Sequence, residues 1–242
     1  NQISFTIGYP IRDEVMPGHL KIGWKKIFSL PIYFSPVASN SFLKQIKLSF
    51  LSFFFDYILN TFHKLLNLFS KKLNILEYDT NQIHTIKDFD NFIERYKNEN
   101  KITLNKNIQF LKWRLGAPNS KYKILAAYKN DNMVGYSVIT RTLKKGISCC
   151  AILDLSFLDE YRKFVPSMIN SIKNYSKKNN LDSIIIMSSP FMSKKNNFLK
   201  SGLFKTPFKF NLIIKNFSEK VPNEILNNVK NWNLNWIDSD NL

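Results

Sequence analysis

The stretch YKILAAYKNDNMVGYSVITRTLKKGISCCAILD, Tyr122 to Asp154, decides the fold. Ile124, Ala126 and Tyr128 alternate with Leu125, Ala127 and Lys129, and Val134, Tyr136 and Val138 resume the two-residue period after the turn-forming Asn130-Asp131-Asn132. Successive strand side chains point to opposite faces, so this pattern predicts antiparallel strands joined by a tight turn. Lys144-Lys145-Gly146 closes a second turn, and Ala151-Ile152-Leu153 carries a third strand.

Downstream, Pro166 suits the first residue of a helix whose apolar stripe is Met168, Ile169, Ile172 and Tyr175, ending at Asn179-Asn180. DSIIIMS (Asp182 to Ser188) reads as a returning strand, Met192 to Ser201 as a helix closed by Gly202, and Thr206 to Lys215 as a last strand. Upstream, Ile86 to Glu99 is helical with Phe89, Phe92, Ile93 and Tyr96 on one face, and NIQFLKWRL (Asn107 to Leu115) precedes a break at Gly116-Ala117-Pro118. Ser41 to Leu76 spaces Phe42, Ile46, Phe50, Phe53, Tyr57 and Phe62 at helical intervals. Before it, Lys26 to Phe34 is a strand in which Pro31 implies an edge or a bulge. Arg12 to Ile22 forms a short interrupted helix ending at Gly23, and Asn1 to Tyr9 another strand. The expected class is α/β (α+β), with a site where the third central strand gives way to its helix.

Hydrophobic residues make up 44% of the 242, enough for a substantial core and too many for a disordered chain. The formal charge is +17, raising attraction to nucleic acid or anionic lipid. Only Arg12, Arg95, Arg114, Arg141 and Arg162 are arginines, however, so the bidentate chemistry of base recognition is sparse and no specific nucleic-acid partner is expected. Cys149 and Cys150 are adjacent and face opposite ways, which disfavours a disulfide and fits a reducing, cytoplasmic setting. His19, His63 and His84 lack ligand spacing, so no metal is expected. The basic, Phe-rich stretch over residues 42–69 is either a linker helix pair, a peripheral contact with the inner face of a membrane, or an oligomer contact.

The order strand, strand, strand, helix, strand, helix, Gly-hydrophobic corner, strand, with FLKWRLGAPNSKY (Phe110 to Tyr122) and LKSGLF (Leu199 to Phe204), resembles the GCN5-related N-acetyltransferase (GNAT) superfamily. GYP (Gly8 to Pro10), LKIGW (Leu20 to Trp24) and WNLNWIDSD (Trp232 to Asp240) add a likeness to bacterial envelope and amino-sugar acyltransferases. The resemblance implies a mixed, mostly antiparallel central sheet flanked by helices. It divides the chain into the end of a first GNAT-like domain (1–38), a helical linker (39–86) and a second GNAT-like domain (87–242). The absence of an initiator methionine fits a chain that begins inside a longer protein.

The resemblance further implies acetyl-CoA or another acyl-CoA as donor and a small-molecule amine or amino sugar as acceptor. The family's Q/R-x-x-G-x-G/A phosphate loop falls on Arg162-Lys163-Phe164-Val165-Pro166-Ser167; Arg162 matches, while Val165 replaces a glycine and Pro166 removes an N–H. Cofactor contacts are therefore assigned to Arg162, Lys163, Ser167, Ser188 and Ser189. The family's thiol-protonating Tyr position is Phe198 here and His19 in the first piece, so His19 and Asp154 are the catalytic candidates. Trp113, Arg114 and Tyr136 are candidates for the acceptor side, Arg114 and Trp113 equally for stapling a helix to the sheet. With its own loop degenerate, the chain reads as an acyltransferase fragment; a non-catalytic scaffold and a basic accessory domain are the alternatives.

Overall fold

The computed structural model describes residues 3–10, 12–68, 71–117, 121–218 and 220–239. Pro118 and Asp240, both quoted above, lie outside them. The N-terminal part runs β1 (Phe5–Gly8), α1 (Met16–Lys21), β2 (Lys25–Pro36), α2 (Asn40–Gln45), α3 (Ser52–Leu68) and β3 (Asn74–Asp79). It continues with α4 (Phe89–Glu99), α5 (Ile108–Leu115), β4 (Tyr122–Lys129), β5 (Asn132–Lys144) and β6 (Ile147–Phe157). The rest is α6 (Val165–Lys178), β7 (Ser183–Met187), α7 (Pro190–Lys195), β8 (Phe204–Asn216) and α8 (Asn223–Asn227).

All these strands join one eight-stranded sheet in the order β1-β8-β2-β7-β6-β5-β4-β3. Among the described pairings within the sheet β6–β7 alone is parallel, the crossover being α6. This is a GNAT-like fold, an open, mostly antiparallel sheet between two helical layers. Positive φ at Asn130 and Asp131, and at Lys145 and Gly146, builds the two hairpin turns, the geometry that matches the twist of the flanking strands. One core, under α4 and α5, takes Ile124, Ala126 and Tyr128 from β4; the other, under α6, takes Leu125 and Ala127. Cys149 and Cys150 divide between the two in the same way, and both are free thiols.

The simple alternation slips twice. Ala127 pairs with Gly135 but Tyr128 with Met133, so Val134 is an extra residue and faces α6, while Tyr136 and Val138 face α4. Val138 pairs with Asp154 but Ile139 with Ile152, so Leu153 is a second extra residue. Each bulge shifts the strand's phase by one and re-aims everything beyond it.

Other elements depart from expectation in place rather than kind. The helical periodicity over Ser41 to Leu76 breaks at Lys47, whose φ is 59°, and its last residues form β3 on the sheet edge against β4. Residues 39–86 are thus not wholly helical. Pro31 sits at a register shift in β2, an interior strand between β7 and β8, so the bulge option holds and the edge option does not. The helix expected over Met192 to Ser201 stops at Lys195 because Asn197 adopts φ 52°, and a 3-10 turn (Leu199–Ser201) leads into Gly202.

Candidate functional site

β6 and β7 pair only from Cys149↔Ser183 to Ile152↔Ile186. Beyond that β6 stays with β5 as far as Phe157, while β7 follows β2, where the Ser188 N–H bonds the Pro31 carbonyl at 3.1 Å. The divergence coincides with the Leu153 bulge. Without the bulge Asp154 would share the α6 face with Cys150 and Ile152; with it, Asp154 turns toward α4 and α5.

There Asp154 is fully buried in a polar cluster. Lys106, from the loop between α4 and α5, places Nζ 3.2 Å from Oδ1 and 3.1 Å from Oδ2. Tyr136 donates its hydroxyl to Oδ2 at 2.6 Å, and Ser156 Oγ lies 2.8 Å from Oδ1. Ser156 also reaches the Tyr96 hydroxyl at 3.2 Å, which accepts from Asn233 Nδ2 at 2.5 Å. Asp238, in the C-terminal tail, takes the Asn235 N–H at 2.7 Å on one oxygen and faces Lys106 at 3.4 Å with the other. That second contact is charge attraction without a formed hydrogen bond, since Asp238 Oδ1 has no such partner.

Burial and charge act against each other here. Burial is the largest influence on Lys106 and favours the neutral amine, but Asp154, Asp238 and Tyr96 together hold it above the ordinary lysine range. Asp238 is pushed up to about 6 by burial, Lys106 pulling it down and Asp154 raising it. Burial and then Asp154 raise the Tyr136 phenol well above its usual value. The cluster holds one ammonium between two carboxylates, with a phenol clamped on one of them.

On the other side of the divergence, residues 159–164 wind into a 3-10 turn that runs directly into α6. Its amides point back along the turn: Tyr161 N–H bonds the Leu158 carbonyl and Val165 N–H the Arg162 carbonyl. Pro166 has no N–H to offer. Arg162 is turned inward, its Nε 2.7 Å from Asp159 Oδ1 and its Nη1 2.9 Å from Asn196 Oδ1. A helix N-terminus binds anions through outward-pointing amides, and here those of Tyr161 and Val165 are used within the turn and Pro166 has none.

The sequence-derived candidates therefore separate. Asp154 and Tyr136 meet in the buried cluster. Arg162 is buried, with Nε and Nη1 bonded to protein groups and Nη2 without a hydrogen-bond partner, whereas Lys163 is exposed with Nζ 5.7 Å from the Phe164 ring centre. Ser167 is half-buried in the first turn of α6. Ser189 caps α7 by accepting the Met192 N–H at 3.1 Å, and Ser188 is buried at the end of β7. Arg114 binds the Ile237 and Ser239 carbonyls at 3.3 and 2.6 Å, so it staples the C-terminal tail. Trp113 is exposed beside Phe110. His19 packs edge-on against Trp24 near β2, on the far side of β7 from Asp154. Phe198 is buried against the Tyr33 ring, and the Tyr33 hydroxyl lies 2.7 Å from Ser193 Oγ.

Lys106, Tyr96 and Asn233 were not foreseen. A lysine in ITLNKN reads as solvated surface, and Tyr96 reads as one more apolar residue of its helix stripe. Nothing local reveals that a strand bulge 48 residues away supplies the carboxylate for Lys106.

No protein-family model matches the chain, and no curated protein matches its sequence. Solved structures do. A GCN5-related N-acetyltransferase from Anabaena variabilis superposes with a TM-score of 0.54 at 13% identity over 88% of this chain and 45% of its own. N-myristoyltransferase from Saccharomyces cerevisiae, solved with myristoyl-CoA and inhibitors, gives 0.57 at 10% identity over 89% and 53%. A probable N-acyltransferase from Enterococcus faecalis gives 0.53 at 11% identity over 88% and 45%. The chain thus spans about half the length of these proteins, and the likeness is one of fold.

Proposed function

We propose that this chain is part of an acyl-CoA-dependent N-acyltransferase in which its own donor position is closed and it serves to organise the acceptor side. The observation that carries this reading is the state of the strand divergence. Asp154, Phe157, Met187, Ser188, Val165 and Phe198, which border it, are each at most 4% exposed. Two of the Arg162 guanidinium nitrogens are taken by Asp159 and Asn196, leaving Nη2 unpaired, and the Tyr161 and Val165 amides are used internally. Residues 1–38 are then the end of a preceding GNAT-like domain that lends β1 and β2 to this sheet, 39–86 the connection and 87–242 the second domain. The greater length of the structural neighbours, of which this chain covers 45–53%, supports this arrangement. The acceptor class is an amine on a small molecule, an amino sugar or envelope precursor by the sequence resemblance.

Calorimetric titration of acetyl-CoA into this chain tests it. No saturable heat is expected up to about 1 mM ligand, where even a weak site registers. Saturable binding with acetyl transfer to an amine would overturn the closed-site reading and return Asp154, Arg162 and Ser167 to catalytic and cofactor roles.

One observation also favours a membrane-facing position for the enzyme, at the cytoplasmic side. No helix among the described residues is long and apolar enough to cross a bilayer. Yet α3 turns Phe53 (87% exposed), Tyr57 (67%) and Leu65 (56%) outward, with Phe50 just before it. Residues 40–73 carry five lysines and one aspartate, a net +4. An apolar helix face fringed by cations lies down on anionic lipid. Pelleting with anionic vesicles should fall in Phe53→Asp/Tyr57→Asp, and unchanged pelleting would remove this reading.

A further inference from the structure

A cavity of about 390 Å³ lies between α3 and α6, apart from the strand divergence. Its walls include Thr61, His63 and Lys64 from α3 and Lys173, Asn174 and Lys177 from α6. His63 is only 4% exposed, and neither ring nitrogen has a hydrogen-bond partner. Buried polar groups are almost always paired, so an orphan imidazole on a cavity wall calls for an occupant. Lys173 is equally buried, its Nζ donating to the Ser201 carbonyl at 2.8 Å. Lys177 donates to Asn60 Oδ1.

The charges do not balance. Burial, then Lys173 and Lys177, lower His63 to about 4, and burial, then Lys177, lower Lys173 to about 8. Lys177 is lowered by burial and by Lys64, with Asp56 the one opposing acid acting on it. Asp56 is itself engaged, accepting the Ser39 N–H at 2.6 Å. Lys173 is buried while Lys64 and Lys177 are exposed, so an anion entering the cavity would meet three ammonium groups and an unpaired imidazole. Gly202 packs against the Lys173 ammonium: with φ at +71°, a Cβ there would stand 3.1 Å from Lys173 Nζ and 3.0 Å from Leu66 Cδ1.

We propose that this cavity is a binding site for a phosphate-class anion, with Lys64, Lys173 and Lys177 supplying charge and His63 an N–H donor. Lysine is a point-charge phosphate ligand that needs no bidentate geometry, which suits a chain poor in arginine. The phosphate can belong to a soluble molecule or to a lipid headgroup. Tyr57 lines the cavity and is exposed on α3, so a headgroup has a short path in. The site stands on its own geometry and does not depend on acyl transfer.

Inorganic phosphate titrated calorimetrically into the chain at low ionic strength should give one saturable site. Affinity should drop about tenfold or more in Lys64→Gln/Lys177→Gln, a loss of roughly 1.4 kcal/mol or greater. Lys194→Gln/Lys200→Gln removes the same charge elsewhere and should bind as wild type. Absence of saturable heat overturns the proposal, as does equal weakening in both double variants, which would mark diffuse attraction to a basic protein. Lys64 and Lys177 are solvent-exposed, so the variant is expected to fold, and its unfolding curve checks this. A second arm uses vesicles of phosphatidylglycerol against phosphatidylcholine. With the phosphate site established, weaker phosphatidylglycerol pelleting of Lys64→Gln/Lys177→Gln assigns a lipid headgroup, and unchanged pelleting assigns a soluble phosphate.

Discussion

On the α4/α5 side of the sheet, Lys106 is buried between two carboxylates, with Tyr136 and Ser156 completing the hydrogen bonds of Asp154. Behind α6, Lys173 is as deeply buried, yet it has a single carbonyl for a partner and further lysines for neighbours. Both are buried lysines, and their environments drive them in opposite directions: Lys106 above its ordinary range, Lys173 down to about 8. Buried charge that is matched within the chain fixes structure, in this case the bulged end of β6 and the tail that closes over it. Buried charge left unmatched is a demand for something from outside. Burial alone does not separate the two cases; the tally of opposite charge does.

Lys106→Met puts the largest strain on this contrast. It leaves Asp154 and Asp238 facing each other without a cation, and removing one partner of a buried pair costs about 3–5 kcal/mol. Urea unfolding should show a loss of that order. A loss below about 1 kcal/mol would mean that the carboxylates are readily neutralised and that the cluster is not what holds the tail.

A smaller effect is carried by Asp238. Its folded-state value near 6 lies above the unfolded 3.8, so the native protein holds this proton more tightly than the unfolded chain. The stability it contributes is therefore complete below about pH 4 and is lost as pH rises toward 6. Asp238→Asn should remove that slope, by on the order of 2 kcal/mol across the window, while an Asn can still accept the Asn235 N–H. Parallel stability–pH curves for wild type and variant between pH 4 and 7 would contradict it.

The sequence makes one of these regions more legible than the other, for physical reasons. Alternation and turn residues locate β4, β5 and β6, because a strand buried on both faces and closed by Asn-Asp or Lys-Gly turns has few other solutions. Asp154 stands out as an acid at the end of an apolar strand. Its direction does not, since a period-two reading contains no phase slip and the bulges at Val134 and Leu153 arise from pairing with neighbouring strands. Arg162 matches a motif position by type, but its commitment to Asn196 depends on how α7 ends. β2 is recognisable as a strand, whereas its seat between β7 and β8 is set by partners about 150 or more residues away. The cluster behind α6 is almost silent: His63 falls on a helix dominated by Phe, and Lys173 looks like one more member of a lysine-rich surface.

Lys173→Met is the gentlest test and the one that sets the two regions most directly against each other. The substitution is the same as at position 106, but here it removes a charge that repels its neighbours and sacrifices one hydrogen bond to the Ser201 carbonyl. These effects oppose, and the net change in phosphate-free buffer at pH 7 is expected within about 1 kcal/mol. The pH dependence gives the sign. A base whose folded value is lowered from 10.5 to about 8 contributes stability that is present above 10.5 and lost as pH falls through 8. Wild type should therefore gain on the variant as pH is raised from 7.5 to 10, with Lys64, Lys177, His63 and Asp56 common to both. Added phosphate should favour wild type at pH 7 as well, because an anion restores the missing charge. A loss at position 173 as large as that at 106, independent of pH and phosphate, would place both lysines in the same structural role and erase the distinction between a charge the fold has matched and one it has not.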